Sequence, residues 1–320
     1  MPKLIDPIPA IDSVTVFGLG WTGVAAANLA ARVGKRVYAT DTRSEQELEK
    51  ALIGLAQRHG IHLDPQVTVI HGQHKRQADG VILLTQSVKH HEVAHLQALV
   101  IPEVAFAQKA LEGIGVPLVA IGGTDGKTTT VKLAHELCAA QRHTLVGGNS
   151  WPPLSQAVLQ MQQEHVPDSV LVCEISAFQL PPWHRFRPKV AALTNIAEDH
   201  VDEYFQGSFP TYCAAKRGIT DQLGENDFAV LNFDDVRVRS FSDKIQARGA
   251  TVIGTSLSAR AVADLSCAAW RQNGELRIRW QGKETGLMAW DEIPLVGDHN
   301  AENCLTALAS TLSLELDTDK

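Results

Sequence analysis

The chain has 320 residues, a mass of 34.7 kDa and a formal net charge of −7. Apolar residues make up 44% and charged residues 20%, which excludes a disordered chain, because disorder needs low hydrophobicity with high net charge. The mild acidic balance gives no electrostatic footprint for nucleic acid or anionic lipid, and no stretch approaches the roughly 18 apolar residues that span a bilayer.

In chain order, residues 14–17 (VTVF) predict a short strand ending at Gly18. A helix over about 22–33 follows, closed by Gly34, and then a strand at 36–40; together they make a βαβ unit. Further strands are expected at 67–70 and 80–84, and a helix at 103–111 behind Pro102. Residues 113–117 (GIGVP) read as a linker, which sets domains at 1–112 and 118–320. A second alternating series then begins with a strand at 118–121, a glycine-rich loop and a helix over 127–140. Strands at 170–174 and 190–194 are apolar almost throughout, as in a parallel sheet buried on both faces. Asn273-Gly274, followed by alternating Leu276, Ile278 and Trp280, predicts a small antiparallel patch. A last helix is expected over 301–312. The fold class is therefore α/β, mostly parallel, with that one antiparallel patch.

The five cysteines, Cys138, Cys173, Cys213, Cys267 and Cys304, are isolated from one another, and an odd number cannot pair completely. Reduced, buried thiols in the cytoplasm are expected, not a disulfide framework or a zinc cluster. The N-terminal MPKLIDP has no apolar core of a signal peptide.

Two loops carry the chemistry. Gly18-Leu19-Gly20-Trp21-Thr22-Gly23 fits G-x-G-x-x-G between a strand and a helix, and Asp41 closes the next strand. Glycines let backbone approach a pyrophosphate, and the helix N-terminus favours its charge. A nucleotide-type ligand is expected, with Asp41 holding a ribose or accepting from a base; the bland alternative is a tight turn. The second loop runs Gly122-Gly123-Thr124-Asp125-Gly126-Lys127-Thr128-Thr129. Its N–H groups would cradle phosphates, Lys127 would neutralise charge and Thr128 would ligate Mg²⁺. The full G-x-x-x-x-G-K-S/T pattern would need Gly at Ile121. A ligand-free turn would leave Lys127 at the wrong end of the helix dipole.

Glu174 ends an apolar strand, where open α/β sheets bind ligands; it is either a Mg²⁺ ligand or a surface glutamate. Asn195, Glu198, Asp199 and His200 crowd another strand end, as a site or as a capped helix start. Lys216 belongs to a predicted helix and by itself is a surface lysine. Asn300 and Asn303 share a helix face, to read a base or merely to cap.

The loop GTDGKT, then EISAFQL, NIAEDHVD and GDHNAEN, in this order over nearly the whole chain, resemble the Mur ligase family, ATP-dependent amide-forming enzymes of peptidoglycan precursor synthesis. GLGWTG with Asp41-Thr42-Arg43 points to the member that joins D-glutamate to UDP-N-acetylmuramoyl-L-alanine through an acyl phosphate. The resemblance implies a Rossmann-like N-terminal domain that holds UDP and a central ATPase domain. Trp21 and Thr22 would meet phosphate, and Asp41, Thr42 and Arg43 would meet uracil. Asn149 would lie near the donor substrate. Gly123, Thr124, Asp125, Gly126, Lys127, Thr128 and Thr129 would hold ATP phosphates, with Asn300 and Asn303 on the adenine side. Thr128 and Glu174 would bind one Mg²⁺, and His200 with a carbamylated Lys216 a second. Lys127, Glu174, His200 and Lys216 are the implied catalytic set. Small-molecule substrates, no nucleic acid, no membrane and a monomer are expected.

Three departures stand out. Asp125 replaces a family asparagine, Ser150-Trp151 follows Asn149 where Ile-Gly is usual, and Gln86-Ser87-Val88-Lys89 replaces a Ser-Pro-Gly turn that meets UDP. Family members carry a third, acceptor-binding domain after the G-x-H-N helix. The chain ends at Lys320, so it is expected to bind the UDP-sugar yet ligate poorly alone. A folylpolyglutamate-synthetase-like ligase lacks a counterpart of residues 1–112, and a nicotinamide oxidoreductase leaves the second loop unexplained. A non-catalytic nucleotide-binding relative is the remaining alternative.

Overall fold

The computed structural model describes residues 6–77, 80–89, 93, 95–96, 100–150, 152–198, 201 and 205–314. The chain forms two compact units. The first comprises Met1–Val116, Gly147–Val166 and Phe178–Phe186, and the second comprises Pro117–Val146, Pro167–Ala177 and Arg187–Lys320. The change at Val116/Pro117 lies in the GIGVP segment, but two later stretches also group with the first unit.

The first unit is built on a five-stranded sheet, all parallel, in the order β3-β2-β1-β4-β5. Its strands are β1 (Ser13–Phe17), β2 (Arg36–Thr40), β3 (Thr68–Ile70), β4 (Val81–Leu84) and β5 (Val100–Pro102). β1 is central and buried at all five positions, which is why its sequence is apolar with only small polar residues. Helix α1 (Trp21–Arg32) follows the first glycine loop, and its run of alanines lets it lie close to the strands. Helix α2 (Glu45–His59) opens with a Ser44/Glu47 capping box and stops at Gly60 in the left-handed conformation. Helix α3 (Glu103–Leu111) is the one expected behind Pro102.

The second unit has a nine-stranded sheet in the order β14-β13-β12-β11-β10-β9-β6-β8-β7. Its strands are β6 (Leu118–Gly122), β7 (Thr144–Gly148), β8 (Val170–Glu174), β9 (Val190–Leu193), β10 (Phe228–Asn232), β11 (Thr251–Ser256), β12 (Ala268–Gln272), β13 (Glu275–Trp280) and β14 (Lys283–Ala289). β8, β6, β9, β10, β11 and β12 run parallel, and β12 to β14 form an antiparallel meander. Asn273 and Gly274 both take positive φ, 53° and 77°, as a two-residue hairpin turn of that type requires. Helix α4 (Lys127–Ala139) packs on helix α9 (Asp298–Leu312), and both cover a core of Val119, Ile121, Val172, Ala192 and Val230. Between them in sequence lie α5 (Leu154–Glu164, in the first unit), α6 (Phe209–Arg217), α7 (Val236–Arg239) and α8 (Ser242–Gln246).

The mixed, mostly parallel α/β class with one antiparallel patch is as expected. The last helix begins at Asp298, three residues before the predicted start, with Gly297 at its cap and Asp298-His299-Asn300 in its first turn. α2, β5, β7, α5, β10, β11, α7 and α8 went unpredicted. No helix among the described residues is long and apolar enough to cross a membrane. Cys138, Cys173, Cys267 and Cys304 are buried, Cys213 is half-buried, and none of the five is in a disulfide.

Candidate functional site

In the first unit, the loop after β1 is pinned from the neighbouring strand. Gly23 sits where any Cβ would drive into the carbonyl of Gly18, so the third glycine of the motif is a requirement of helix-to-strand packing. Asp41, 5% exposed at the end of β2, accepts the Leu19 N–H at 2.8 Å. Its carboxylate also takes Arg43 Nε and Nη2, each at 2.8 Å, and the Arg43 N–H at 3.0 Å. Arg43 Nη2 closes the ring by donating to the Leu19 carbonyl at 3.1 Å. Burial pushes the Asp41 carboxyl up, but the Arg43 guanidinium and the two backbone N–H groups outweigh it and hold the group well below the usual carboxylate range.

Thr22 is buried in α1, Trp21 is half-buried with its ring edge-on to His59 at 5.9 Å, and Thr42 is exposed. The Gln86-Ser87-Val88-Lys89 segment lies against the same loop. Thr85 Oγ1 donates to the Phe17 carbonyl at 2.9 Å and is 2.7 Å from Ser87 Oγ. Asn149 is half-buried and belongs to this first unit, ahead of α5.

In the second unit, the loop between β6 and α4 is held mostly by neutral groups from several elements. Thr194 Oγ1 donates to the Asp125 carbonyl at 2.6 Å, and the Asp125 N–H donates to Asn195 Oδ1 at 2.9 Å. Thr124 Oγ1 lies 3.0 Å from Tyr212 Oη and accepts the Ala197 N–H at 3.1 Å. Asn303, buried in α9, accepts from Thr130 Oγ1 at 3.2 Å and lies beneath Gly126. Gly126 has φ 80°, and a Cβ there would meet Asn303 Oδ1, so this position is closed to other residues on two counts. Asn300 Nδ2 donates to the Val296 carbonyl at 2.8 Å, a local bond at the start of α9.

Lys127 Nζ donates to the Thr124 carbonyl at 2.7 Å, so the ammonium folds back across its own loop. Thr128 Oγ1 donates to Glu174 Oε2 at 2.7 Å, with Glu174 4% exposed at the end of β8. Asp125 is exposed and Thr129 is half-buried. Lys216, buried on α6, donates to the Gly123 carbonyl and lies over the Tyr212 ring, 4.9 Å from its centroid. The structure thus brings Lys127, Thr128, Glu174 and Lys216 to one loop. Asp199 and His200 lie outside the described residues. A hydroxyl and a buried carboxylate in contact are hard oxygen donors beside a phosphate-type loop, which fits Mg²⁺. Among the described residues no group of three or more His, Cys, Asp and Glu gathers as a metal site.

Sequence reasoning missed two features. Tyr212 supports both Thr124 and Lys216; its i, i+4 spacing to Lys216 was the available signal. Glu103 accepts from Ser155 across 52 positions of sequence, and nothing local announces that pair.

Residues 121–311 match the family model described as the Mur ligase middle domain. The chain is 37% identical over 313 residues to the UDP-N-acetylmuramoylalanine--D-glutamate ligase of Geotalea uraniireducens, which covers 95% of this chain and 64% of that protein. It is 29% identical over 320 residues to the ligase of the same name from Alkaliphilus oremlandii, covering 96% and 65%. The chain therefore spans less than two thirds of the length of these relatives. Among solved structures, the UDP-N-acetylmuramate:L-alanyl-gamma-D-glutamyl-meso-diaminopimelate ligase from Neisseria meningitides shares the fold, with a TM-score of 0.59 at 17% identity over 96% of this chain and 95% of that one.

Proposed function

The chain belongs to the Mur ligase family, and from that premise we propose that it serves the ATP-dependent joining of D-glutamate to UDP-N-acetylmuramoyl-L-alanine, a step of peptidoglycan precursor synthesis. The observation that carries this reading is the Thr128–Glu174 pair at 2.7 Å beside Lys127 on a glycine loop. It is the equipment of phosphoryl transfer, which consists of positioning and charge stabilisation. The names of relatives identical at 37% and 29% support the choice of substrate.

The loop N–H groups from Gly123 to Thr129 and the Lys127 ammonium hold the ATP phosphates. To do so, Lys127 exchanges the Thr124 carbonyl for a phosphate oxygen. Thr128 and Glu174 hold Mg²⁺, which when bound neutralises charge on the transferring phosphoryl group. The donor carboxylate attacks the γ-phosphorus and gives an acyl phosphate and ADP. The amine of D-glutamate then attacks the acyl carbon, loses a proton and expels phosphate. Asn300 and Asn303 stand on the adenine side. Trp21, Thr22, Asp41, Thr42, Arg43 and Asn149 serve the UDP-linked donor. Asp41 does so as the anchor that holds the loop at the Leu19 N–H and orients the Arg43 guanidinium. His200 and a carbamylated Lys216 complete a second Mg²⁺ site. The Lys216 ammonium would first lose one proton, and addition of CO₂ to the neutral amine with loss of a second proton would leave a carbamate, an anionic oxygen donor suited to that ion. The protein acts in the cytoplasm as a monomer on small molecules.

Calorimetric titration with UDP-N-acetylmuramoyl-L-alanine, with NAD as control, tests the donor assignment. Binding of the UDP compound alone is expected, and binding of NAD alone overturns the reading of the first unit. For Lys216, ¹³C-bicarbonate NMR is expected to show a carbamate signal that Lys216→Ala removes. A bare amine at high bicarbonate takes Lys216 out of the metal site.

A further inference from the structure

Glu103 is a fully buried carboxylate, 3% exposed, that the proposed chemistry does not use. It is the first residue of α3, and one of its oxygens, Oε1, accepts both the Ser155 N–H at 2.7 Å and the Ser155 hydroxyl at 2.5 Å. Ser155 is the second residue of α5, and all of these residues lie in the first unit.

The N-terminus of α5 needs such a partner. The residue at its cap is Pro153, which has no side-chain acceptor, and no side chain caps the helix locally. Free N–H groups and the positive end of the helix dipole are therefore met by a carboxylate from a different helix. The turn before α5 is tied to the same point. Gly148 N–H donates to the Pro152 carbonyl at 3.0 Å, and the Pro153 carbonyl accepts from Gln156 and Ala157, each at 3.0 Å. Asn149 is carried inside the turn that the Gly148–Pro152 bond closes. Glu103 also lines a small cleft together with Thr85, Gln86 and Gln179.

We infer that Glu103 is a positioning residue for the UDP-linked donor: through Ser155 it fixes the start of α5 and with it the turn that presents Asn149. This rests on the assignment of Asn149 to donor binding. A residue of purely structural worth would change the melting temperature and leave ligand affinities in proportion. A positioning residue should weaken the donor selectively, and only while Asn149 is present.

The test is a double-mutant cycle on the full chain, read by calorimetry with UDP-N-acetylmuramoyl-L-alanine and, separately, ATP. Glu103→Ala is expected to weaken donor binding about tenfold, the loss of one buried hydrogen-bonded contact, and to leave ATP binding unchanged. Glu103→Gln, which keeps the accepting oxygen, is expected to restore donor binding. In the Asn149→Ala background the Glu103→Ala loss should vanish, since residues that act through one another are not additive. Ser155→Ala removes the hydroxyl but keeps the N–H and is expected to give a smaller loss of the same kind. If Glu103→Ala does not fold, the Ser155→Ala and Asn149→Ala cycle carries the test alone. Full additivity, or an equal loss for ATP, overturns the inference while the donor assignment stands. An Asn149→Ala variant that binds donor normally overturns both.

Discussion

The two glycine loops share a strand–loop–helix plan and are secured in opposite ways. The first is clamped by charge: Asp41 and Arg43 reach from the next strand and grip both the N–H and the carbonyl of Leu19. The second is supported mainly by neutral groups, Thr194, Asn195, Tyr212 and Asn303, drawn from β9, α6 and α9 and the segments beside them, with the Lys216 ammonium of α6 added at the Gly123 carbonyl. That difference suits the tasks proposed for them. A loop that only binds can spend a guanidinium on its own architecture. A loop that transfers a phosphoryl group must keep Lys127 and the Thr128–Glu174 pair for ligand, so most of its scaffold is uncharged hydrogen bonds, and the cation that joins it, Lys216, comes from outside the loop.

The sharpest break in the comparison is Lys127→Ala. Removing the one ammonium in the loop should lower ATP-dependent acyl-phosphate formation by about 10²–10³-fold, the usual cost of losing a preorganised group that stabilises transition-state charge. Donor binding and the melting temperature should not move, because Lys127 bonds only to its own loop. Isotope exchange between ATP and acyl phosphate, alongside calorimetry, measures this; ATP binding at the wild-type level would remove the second loop from phosphate recognition.

Next come the glycines. Gly23→Ala forces a Cβ into the Gly18 carbonyl and should cost about 1–3 kcal/mol of stability by overpacking. Gly126→Ala meets both a strained φ and Asn303 and should cost a similar amount, about 1–3 kcal/mol. Chemical denaturation gives both values. The ligand response separates them: Gly23→Ala should weaken the UDP compound and spare ATP, and Gly126→Ala the reverse. If both variants weaken both ligands equally, the two loops do not serve separate ligands.

Much of this layout was legible in the sequence because it is local. A short β-rich strand, a glycine loop and an alanine-rich helix fall within twenty residues of one another. Their boundaries in the structure differ from the predicted ones by a few residues at most. Glu174 could be placed at a strand end, and its neighbours Val172 and Cys173 made that strand plain. What could not be read is the set of partners. Thr194 and Asn195 were visible only as polar residues at a strand end, and their bonds to Asp125 depend on β9 lying next to β6. Glu103 entered the sequence reading only as the start of a helix, and its Ser155 partner comes from α5, which returns to the first unit. α2 escaped because only Leu48 and Leu55 of its fifteen residues are buried, too few to mark a face, although the Ser44/Glu47 capping box was there to be seen.

The smaller effects bear on how the clamp of the first loop differs from the neutral contact at Glu103. Asp41→Asn keeps an acceptor for the Leu19 N–H but loses the charge that holds Arg43. It should weaken binding of the UDP compound by about 1–3 kcal/mol, the range for a hydrogen bond to a charged group, without affecting ATP.

The same two carboxylates should also give the protein opposite slopes of stability with pH. Burial raises Asp41, but Arg43 and the backbone N–H groups prevail, and its folded value lies below the unfolded one of roughly 3.9. Its contribution is complete above that unfolded value and is lost as the pH falls toward the folded one. Glu103 is buried with neutral Ser155 as its partner. Burial raises it and the Ser155 bonds only partly oppose this, so its folded value lies above the unfolded one. Its contribution is complete below the unfolded value and is lost as the pH rises through the folded one. Denaturation midpoints should then show Asp41→Asn converging on wild type as the pH drops below about 4. Glu103→Gln, which has no proton to lose, should gain on wild type as the pH rises from the acid side. Parallel curves for wild type and Glu103→Gln would mean that the carboxylate at the start of α5 is ionised at no net cost. The dipole of α5 would then be supplying what Arg43 supplies to Asp41.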